Sequence, residues 1–462
     1  MPTDKRGVPI TASEDGAVGH FAAAVDAFLG FRLDTGACLK AALAVDPDLA
    51  MGHLARGYFF KLFALPALED RARHALAAAE ASIAERGAHD NERDHAHALG
   101  AWIQGDWQGA IECWERILLD HPTDLLALRV AHYGHFYLGD PARLRDSTAR
   151  VLPSWSAGTP GFGFVHGLHA FGLEECAAYE RAEAHARKAV ALNRGDIWAA
   201  HAATHVMEMQ GRPREGIAWV RGFENDWDEV NNFAGHVWWH RLLFHVEHYE
   251  LDDALGVYDN WVRRERGDHY LDIANAVAGL WRIEDRGLDV GERWDELAAL
   301  CEERIDHHLL VFADLHYLVA VARTRRPAAA HMIGAARAVA GGSSSQEQVI
   351  AKVGLDVAEA IGAFYEGDWG RAVDLLTPAR HELWRIGGSH AQRDLFVQFL
   401  IAAALKAGRV NEARALLAER LNERPFSAKA WRDYAEALAA LGDASGAEAA
   451  DGRAADALTG AL

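Results

Sequence analysis

The stretch DHAHALGAWIQGDWQGAIECWERILLDHP, Asp94–Pro122, contains two amphipathic segments joined by a short turn. Apolar residues recur at helical spacing on both sides of Gly105-Asp106-Trp107, whose glycine suits a tight turn. Ala110 lies five residues after that glycine, and a small side chain at this point lets two helices approach closely. Pro122 closes the second segment. The stretch therefore predicts one helix–turn–helix repeat.

The same pattern recurs along the chain at an interval close to 34 residues. Gly139 follows Gly105 by 34 residues, and Gly442 follows Gly408 by 34. Further turns are indicated at Ala178-Tyr179, Gly211-Arg212-Pro213, His248-Tyr249 and Gly367-Asp368-Trp369. This period is that of tetratricopeptide-type repeats, and no sustained strand alternation is visible. The sequence predicts an all-α, tetratricopeptide-type helical-hairpin solenoid (superhelix), and leaves open whether it closes on itself.

Changes in the pattern predict four segments. We expect an irregular leader over residues 1–20, an N-terminal helical array over 21–260, degenerate helical repeats over 261–340 and a C-terminal array over 346–462. The segment 261–340 keeps helical periodicity but lacks a clean glycine-plus-alanine unit. The glycine and serine run at 341–345 predicts a flexible loop between the arrays.

Composition restricts the classes of partner. The chain has 47 basic and 67 acidic residues, for a net charge of −20. Binding to phosphate backbones needs a basic face, so nucleic acid and membrane are predicted not to be partners. The four cysteines are far apart in sequence, which predicts a reducing compartment and no disulfide framework. The sequence shows neither a secretory signal nor an apolar run long enough to span a bilayer, so a cytoplasmic protein is expected.

Four histidine pairs recur at the repeat interval. Their first members are 34, 35 and 35 residues apart, and the pairs are His132/His135, His166/His169, His201/His205 and His236/His240. A spacing of three or four residues places both imidazoles of a pair on one helix face. Each pair precedes the turn of its repeat and so lies on a first helix, the type that lines the concave groove. We expect the pairs to face this groove or the seam behind it, where they are candidate ligand-binding residues.

Several segments resemble the tetratricopeptide-repeat-protein-38 family. They are WERILLDHPTDLLAL (Trp114–Leu128), HAATHVMEMQGRPREGIAWV (His201–Val220), HVWWHRLLFHVE (His236–Glu247), FADLHYLVA (Phe312–Ala320) and GGSHAQRDLF (Gly387–Phe396). The resemblance runs from about residue 46 to about residue 417. It implies a repeat architecture and brings no established activity with it. The positions that match its recurring motifs are His201, His205, Glu208, His236, His240, His316, Gln392, Arg393 and Asp394.

The third and fourth pairs form the candidate metal site. His201, His205 and Glu208 share one stripe of a helix, and His236 and His240 lie on the next first helix. Imidazoles together with a carboxylate are the ligands of zinc, manganese and non-haem iron sites, so a divalent metal is a candidate cofactor. Two alternatives stay open: a metal-free polar pocket in which the histidines bind each other and nearby acids, and plain packing in helix seams.

Two consecutive tryptophans lie beside this candidate site. Trp238 and Trp239 point about 100° apart on a helix, so both are buried only if the helix is covered on two sides. One of them is therefore a candidate for stacking on a ligand in the groove, and core packing is the alternative.

Two further motifs carry polar residues. In Gln392-Arg393-Asp394, Arg393 can hold an anionic ligand or form an internal salt bridge, and Ser389 can cap the helix that begins there. Asp314 and His316 interrupt an apolar helix and need partners if they are buried. If the solenoid coils back on itself, these two residues would close the same pocket.

Two functions from different classes follow from these residues. In the first, the protein is a binding module whose groove, lined by histidine and tryptophan, takes a peptide, a small molecule or a partner protein. In the second, it is an enzyme in which His201, His205, His236 and His240 bind a metal or transfer protons, with Glu208 or Asp314 orienting an imidazole. The sequence specifies neither the ligand nor the metal nor the oligomeric state, and it leaves catalytic activity undecided.

Overall fold

A computed structural model describes residues 2–459, which fold into a succession of α-helices. The first twelve are α1 (Asp15–Leu29), α2 (Thr35–Val45), α3 (Ala50–Leu62), α4 (Glu69–Arg86), α5 (Asp90–Ile103), α6 (Trp107–Asp120), α7 (Leu125–Tyr137), α8 (Pro141–Val151), α9 (Phe162–Glu175), α10 (Tyr179–Leu192), α11 (Ile197–Met209) and α12 (Pro213–Arg221). The others are α13 (Phe233–Glu247), α14 (Leu251–Val257), α15 (Tyr270–Asp285), α16 (Arg293–Glu302), α17 (Val311–Arg323), α18 (Ala328–Val339), α19 (Ser345–Val349), α20 (Leu355–Glu366), α21 (Trp369–Ala379), α22 (His390–Lys406), α23 (Val410–Glu423), α24 (Ala428–Ala440) and α25 (Ala444–Thr459).

The helices follow one another as antiparallel hairpins, which confirms the predicted all-α fold of tetratricopeptide type. Two isolated β-bridges occur, and no strand forms anywhere between residues 2 and 459. In the same part of the chain, no helix has both the length and the apolar character needed to cross a membrane.

The turns inside the hairpins explain why the repeats were visible in the sequence. Gly105 has φ of 81° and Gly139 has φ of 67°, a left-handed conformation that glycine adopts at little cost. The aspartate after each glycine then caps the next helix, as Asp106 does by accepting a hydrogen bond from the backbone N–H of Gly109 at 2.8 Å. The glycine–aspartate pair thus ends one helix and begins the next.

The predicted degenerate region, 261–340, contains the same kind of turn with a different residue. α17 and α18 are joined through Arg325, whose φ is 54°. Outside this region, α9 and α10 are joined in the same way through Ala177, with φ of 58°. A residue with a side chain adopts this conformation at a cost of roughly 1–2 kcal/mol. In the turn between α17 and α18 an arginine therefore occupies the position that a glycine occupies in the motif, whereas the turn between α15 and α16 has Gly287 there, with φ of 95°.

The N-terminal leader is irregular up to Glu14, and α1 begins at Asp15. Its side chains are nevertheless part of a core, because Val8 and Ile10 are buried. The hydroxyl of Thr11 donates to Oε2 of Glu92 at 2.6 Å, which ties the leader to α5.

Contacts divide the chain into two compact units. Unit 1 takes the chain up to Ala203 together with Phe223–Ala234 and Gly342–Gln348, and unit 2 takes Thr204–Gly222, Gly235–Gly341 and the chain from Val349 onward. The serines of the predicted loop at 341–345 are held in unit 1, since the backbone N–H of Ser345 donates to the carbonyl of Gly105 at 2.9 Å. The four segments predicted from the sequence stay a prediction, because a division by contacts does not show where an array of repeats begins or ends.

Within unit 2 the chain returns on itself. Trp281 of α15 stacks on Phe399 of α22 with ring centroids 4.4 Å apart. Arg282 of α15 donates to the carbonyl of Ala391 at 2.8 Å. The ring of Phe426, just before α24, lies so close to Gly211 that an added Cβ would be 2.2 Å from it. The C-terminal helices thus cover the first helices of this unit.

Candidate functional site

Three histidines from two helices of unit 2 lie together. His205 is on α11, and His236 and His240 are on α13. The ring centroids are 4.3 Å apart for His205 and His240, and 4.9 Å apart for His236 and His240. One ring nitrogen of each lies within 4.8 Å of one from each of the other two, and all three side chains are buried. We call these three residues the histidine cluster.

Polar side chains orient two of these rings. Nδ1 of His240 donates to Oε2 of Glu208 at 2.7 Å, and Nδ1 of His236 donates to Oδ1 of Asn275 at 3.0 Å. A carboxylate or amide oxygen only accepts hydrogen bonds, so Nδ1 carries the hydrogen in both rings, and in the neutral form of either ring Nε2 carries the lone pair. The predicted stripe from His205 to Glu208 is therefore part of one polar arrangement with His240.

Burial keeps two members of the histidine cluster, His236 and His205, uncharged. It lowers the pKa of His236 to about 3, with a further lowering by His240 and an opposing effect of the hydrogen bond to Asn275. Burial also holds the pKa of His205 well below its ordinary value, and the neighbouring imidazoles of His240 and His236 act in the same direction. These two imidazoles are neutral at physiological pH, the form that binds a metal or accepts a proton.

A cavity of about 40 Å³ lies in the same unit, which is room for a few water molecules or one small polar group. Its polar lining consists of Arg282, Arg286, Arg420, Arg424, Gln398, Glu208, Glu247 and Asp394. We call it the arginine cavity. Glu208 belongs to both features, since it binds His240 and lines the cavity. Trp239 also connects them, because its ring stacks on His236 at 5.5 Å and the guanidinium of Arg282 lies 5.7 Å from its centroid.

The arginines of the cavity differ in their partners. Arg420 forms a two-point ion pair with Asp394, whose pKa it holds well below the ordinary value. Arg282 instead donates to two backbone carbonyls, at 3.1 and 2.8 Å, and burial lowers its pKa to about 10. Arg424 donates to the sulfur of Met209 at 3.2 Å. Among residues 2–459, neither Arg282 nor Arg424 forms an ion pair with a carboxylate.

None of these four arginines was a candidate in the sequence analysis. The signal was present as two pairs at i,i+4 spacing, Arg282/Arg286 near the end of α15 and Arg420/Arg424 at the end of α23. Arginine near the end of a helix usually interacts with the helix dipole and the solvent, so the pairs did not stand out. Only the return of the C-terminal helices within unit 2 brings the two pairs to one cavity.

His201, the remaining histidine of the predicted metal set, lies one turn before His205 on α11. In unit 1 its ring stacks on Phe171 with centroids 5.4 Å apart and lies 5.2 Å from the rings of Trp198 and Phe233. Its role as a ligand stays a prediction.

The first two histidine pairs lie in buried seams of unit 1. Nε2 of His132 bonds the carbonyl of Leu168 at 3.2 Å, and Nε2 of His135 bonds Oε1 of Glu115 at 2.9 Å. The second pair has comparable contacts, Nδ1 of His166 with Nδ1 of His185 at 2.7 Å and Nδ1 of His169 with the hydroxyl of Thr148 at 2.9 Å. These contacts account for the four residues as links between adjacent helices. The ligand-binding role predicted for them stays untested.

The two tryptophans of α13 are both buried, which means that this helix is covered on two sides. Trp238 packs on Trp261 with ring centroids 4.4 Å apart. Trp239 faces the histidine cluster, as its contacts with His236 and Arg282 show. Of the two, Trp239 is therefore the one placed beside a candidate ligand site.

The residues of the motif Gln392-Arg393-Asp394 have different roles, since only Asp394 lines the arginine cavity. Ser389 and Gln392 form a reciprocal cap at the start of α22, as predicted for Ser389. Arg393 donates to the carbonyl of Gly388. Asp394 lines the arginine cavity and accepts a hydrogen bond from Gln398 at 2.6 Å.

The two polar residues of α17 have separate partners. Oδ2 of Asp314 lies 3.3 Å from Nδ1 of His308, and Nδ1 of His316 donates to the carbonyl of Phe312 at 2.7 Å. His316 also packs against Phe396 of α22, with ring centroids 5.6 Å apart. The structure thus supplies the partners that buried polar groups need. It brings neither residue into the lining of the arginine cavity.

Buried neutral histidines make the stability of unit 2 dependent on pH. Burial lowers the pKa of His316 to about 4, whereas an unfolded histidine titrates near 6.5. Below pH 6.5 the unfolded chain therefore binds more protons than the folded one. We expect the contribution of His316 to the free energy of unfolding to be fully present above about pH 6.5. About 3 kcal/mol of this contribution should be lost as the pH drops to about 4.

Melting temperatures measured between pH 7 and pH 4.5 test this dependence. His316→Gln should reduce the slope with pH, whereas His381→Gln, which alters an exposed histidine, should leave it unchanged. An identical slope in wild type and His316→Gln would show that His316 does not contribute.

No family model matches the chain. Similar solved structures include a human IFIT1 dimer with PPP-AAAA, at 12% identity over 96% of this chain and 95% of that one, with a TM-score of 0.38. A human IFIT1 dimer with m7Gppp-AAAA is 13% identical over 97% and 96% of the two chains, with a TM-score of 0.39. The P58(IPK) TPR domain is 14% identical over 81% and 97%, with a TM-score of 0.23. At such identities the likeness concerns the fold alone.

One prediction about partners is wrong. Nucleic acid was predicted not to be a partner, but two of the similar structures contain RNA ligands, PPP-AAAA and m7Gppp-AAAA. The exclusion rested on the net charge of −20, which averages over the whole surface. A chain with this net charge still places four arginines around one cavity, so the average says little about a local site.

Proposed function

We propose that this protein is a tetratricopeptide-type binding protein that holds a small anionic molecule, with a carboxylate or phosphate group, in the arginine cavity of unit 2. The observation that carries this proposal is the pair Arg282 and Arg424. Both line the cavity, and within residues 2–459 neither has a carboxylate partner.

The charges of the cavity favour an anion. Four guanidinium groups face three carboxylates, those of Glu208, Glu247 and Asp394, which leaves one positive charge in excess. Burial of a cation is costly and lowers the pKa of Arg282, although the nearby carboxylates of Asp394 and Glu208 act in the opposite direction. A bound carboxylate or phosphate would neutralise the excess and accept hydrogen bonds from two guanidinium groups.

The size of the cavity restricts the ligand. A volume of about 40 Å³ takes one acidic group and not a folded peptide segment. Two backbone carbonyls hold the guanidinium of Arg282 in place, and it also contacts the ring of Trp239. A preformed site of this kind binds with little loss of side-chain entropy.

The proposal also includes a family and a cellular location. The segments around His201–Val220 and His236–Glu247 support membership of the tetratricopeptide-repeat-protein-38 family. The absence of a disulfide framework, with four free cysteines, supports a cytoplasmic location. The enzymatic alternative would use the histidines of the same unit, but no reaction follows from their geometry, so binding is the function that we propose.

Thermal melting in the presence of anions tests the proposal. We expect inorganic phosphate, sulfate, citrate or succinate to raise the melting temperature of the wild-type protein, by an amount that corresponds to about 2.7 kcal/mol at 100 times the dissociation constant. Arg282→Gln and Arg424→Gln each remove a charged donor and should weaken binding about 10- to 100-fold. An oligonucleotide with a 5′ triphosphate distinguishes a free anion from the end of an RNA chain.

Arg414→Gln is the matched control, because Arg414 is an exposed arginine on the same helix as Arg420. It should bind the anion like wild type. Equal anion affinity in Arg282→Gln, Arg424→Gln and Arg414→Gln would place any binding elsewhere on the surface and contradict the proposal.

A further inference from the structure

The contacts of the histidine cluster differ from those of the seam histidines. His132 and His169 each use a ring nitrogen to bond a carbonyl or hydroxyl of a neighbouring helix. In unit 1, His166 and His169 also face a third histidine, His185, with ring centroids 4.8 Å apart in each pair, but among residues 2–459 these three form no group of ring nitrogens within 4.8 Å of one another. In unit 2, His205, His236 and His240 do form such a group, with ring centroids 4.3 Å apart for His205 and His240 and 4.9 Å apart for His236 and His240. Three imidazoles that meet in a buried space resemble a set of ligands more than a link between helices.

The orientation of two rings supports the same conclusion. Glu208 accepts the Nδ1 hydrogen of His240, and Asn275 accepts that of His236. Metal-binding histidines almost always donate one ring N–H to a carboxylate or carbonyl, which fixes the tautomer and leaves the other nitrogen to coordinate. The cluster therefore has outer partners for two of its three members, on the helices α11 and α15.

We infer that His205, His236 and His240 bind a divalent transition-metal ion, zinc being the ion that this ligand set suits best. Three imidazoles are a known set of protein ligands for zinc, and they leave a fourth position for water or another ligand. Imidazole is also a good ligand for other first-row metals, so cobalt serves as a spectroscopic substitute.

The distances are compatible with this site after a small adjustment. Zinc–nitrogen bonds of about 2.0–2.1 Å in a tetrahedral site place the ligand nitrogens about 3.3 Å apart. The nitrogens of the cluster lie within 4.8 Å of one another, so side-chain rotations that shorten these separations complete the site. All three rings are buried, so bulk water does not compete with a metal ion for their nitrogens.

Metal content of the protein without a polyhistidine tag tests the inference. The full chain is stripped with a chelator, incubated with zinc chloride and desalted, and zinc is then measured by mass spectrometry. We expect about one equivalent in wild type and in the control His381→Gln, an exposed histidine of the same unit, and a loss of at least 10-fold in His236→Gln and His240→Gln. The cobalt-loaded wild type should show the visible absorption of a tetrahedral site.

Glu208→Gln keeps the experiment decisive if the histidine variants fail to fold. Loss of an outer partner should weaken zinc affinity about 10- to 100-fold while the three ligands remain. The inference is overturned if wild type retains no zinc after incubation, if folded His240→Gln retains a full equivalent, or if Glu208→Gln binds zinc as tightly as wild type. Anion binding by the arginine cavity is measured separately, so either proposal can fail without the other.

Discussion

Asp394→Asn is expected to lower the free energy of unfolding by about 3 kcal/mol. The side chain of Asp394 is 13% exposed, and it forms the ion pair with Arg420. Removing its charge leaves a buried guanidinium without its carboxylate, and the hydrogen bond from Gln398 is altered as well. A melting temperature lowered by several degrees is the expected result.

The exposed pair of Arg409 and Asp374 is the control for this change. Its two charged atoms are 2.6 Å apart, but solvent screens them. Asp374→Asn should therefore melt like wild type. If Asp394→Asn also melted like wild type, the ion pair of Asp394 would not be part of the stable interior of unit 2.

Gly211→Ala is expected to destabilise unit 2 by about 3 kcal/mol, through two additive causes. Gly211 has φ of 66°, which costs roughly 1–2 kcal/mol for a residue with a side chain. Its added Cβ would also lie 2.2 Å from the ring of Phe426, and displacing such a neighbour costs roughly 1–3 kcal/mol. Denaturant unfolding of the variant measures the sum.

Gly408 separates the two causes. Its φ is 68°, nearly that of Gly211, but an added Cβ would meet nothing within 4 Å. Gly408→Ala should therefore show the backbone cost alone. In a Phe426→Ala background the cost of Gly211→Ala should fall to that of Gly408→Ala. Equal costs for Gly211→Ala and Gly408→Ala in the wild-type background would mean that Phe426 does not pack on this turn.

The sequence predicted the helical hairpins because their turns carry local signals. Glycine followed by aspartate both ends a helix and caps the next one, so a period of 34 residues is visible without any tertiary information. Where another residue occupies the left-handed position, as Arg325 does, the signal disappears although the turn persists. The region 261–340 was interpreted as degenerate repeats for this reason, and because Glu292, not an alanine, lies five residues after Gly287.

The histidine pairs were predicted less completely. Spacing along a helix shows that His236 and His240 share a face, but it does not show what that face meets. Unit 1 places the face of His132 and His135 in a seam against Leu168 and Glu115. Unit 2 places the face of His236 and His240 against another histidine, His205. Pairs with similar spacing along a helix therefore have different environments.

The arginine cavity was beyond the reach of the sequence. Arg424 and Met209 are 215 residues apart, and their contact exists only because the C-terminal helices return within unit 2. The repeat pattern predicts how each hairpin packs on the next, but it does not predict contacts between residues so far apart in sequence. For this reason the sequence left open whether the solenoid closes on itself. The ion pair of Asp394 and Arg420, by contrast, joins the consecutive helices α22 and α23.

Calorimetric titration of the wild-type protein with the most stabilising of the four anions tests the central claim, that unit 2 encloses an anion-binding cavity. The account predicts one saturable site per chain, with binding weakened about 10- to 100-fold in Arg424→Gln. The absence of saturable heat with phosphate, sulfate, citrate and succinate, or binding of equal affinity in Arg424→Gln, would contradict it.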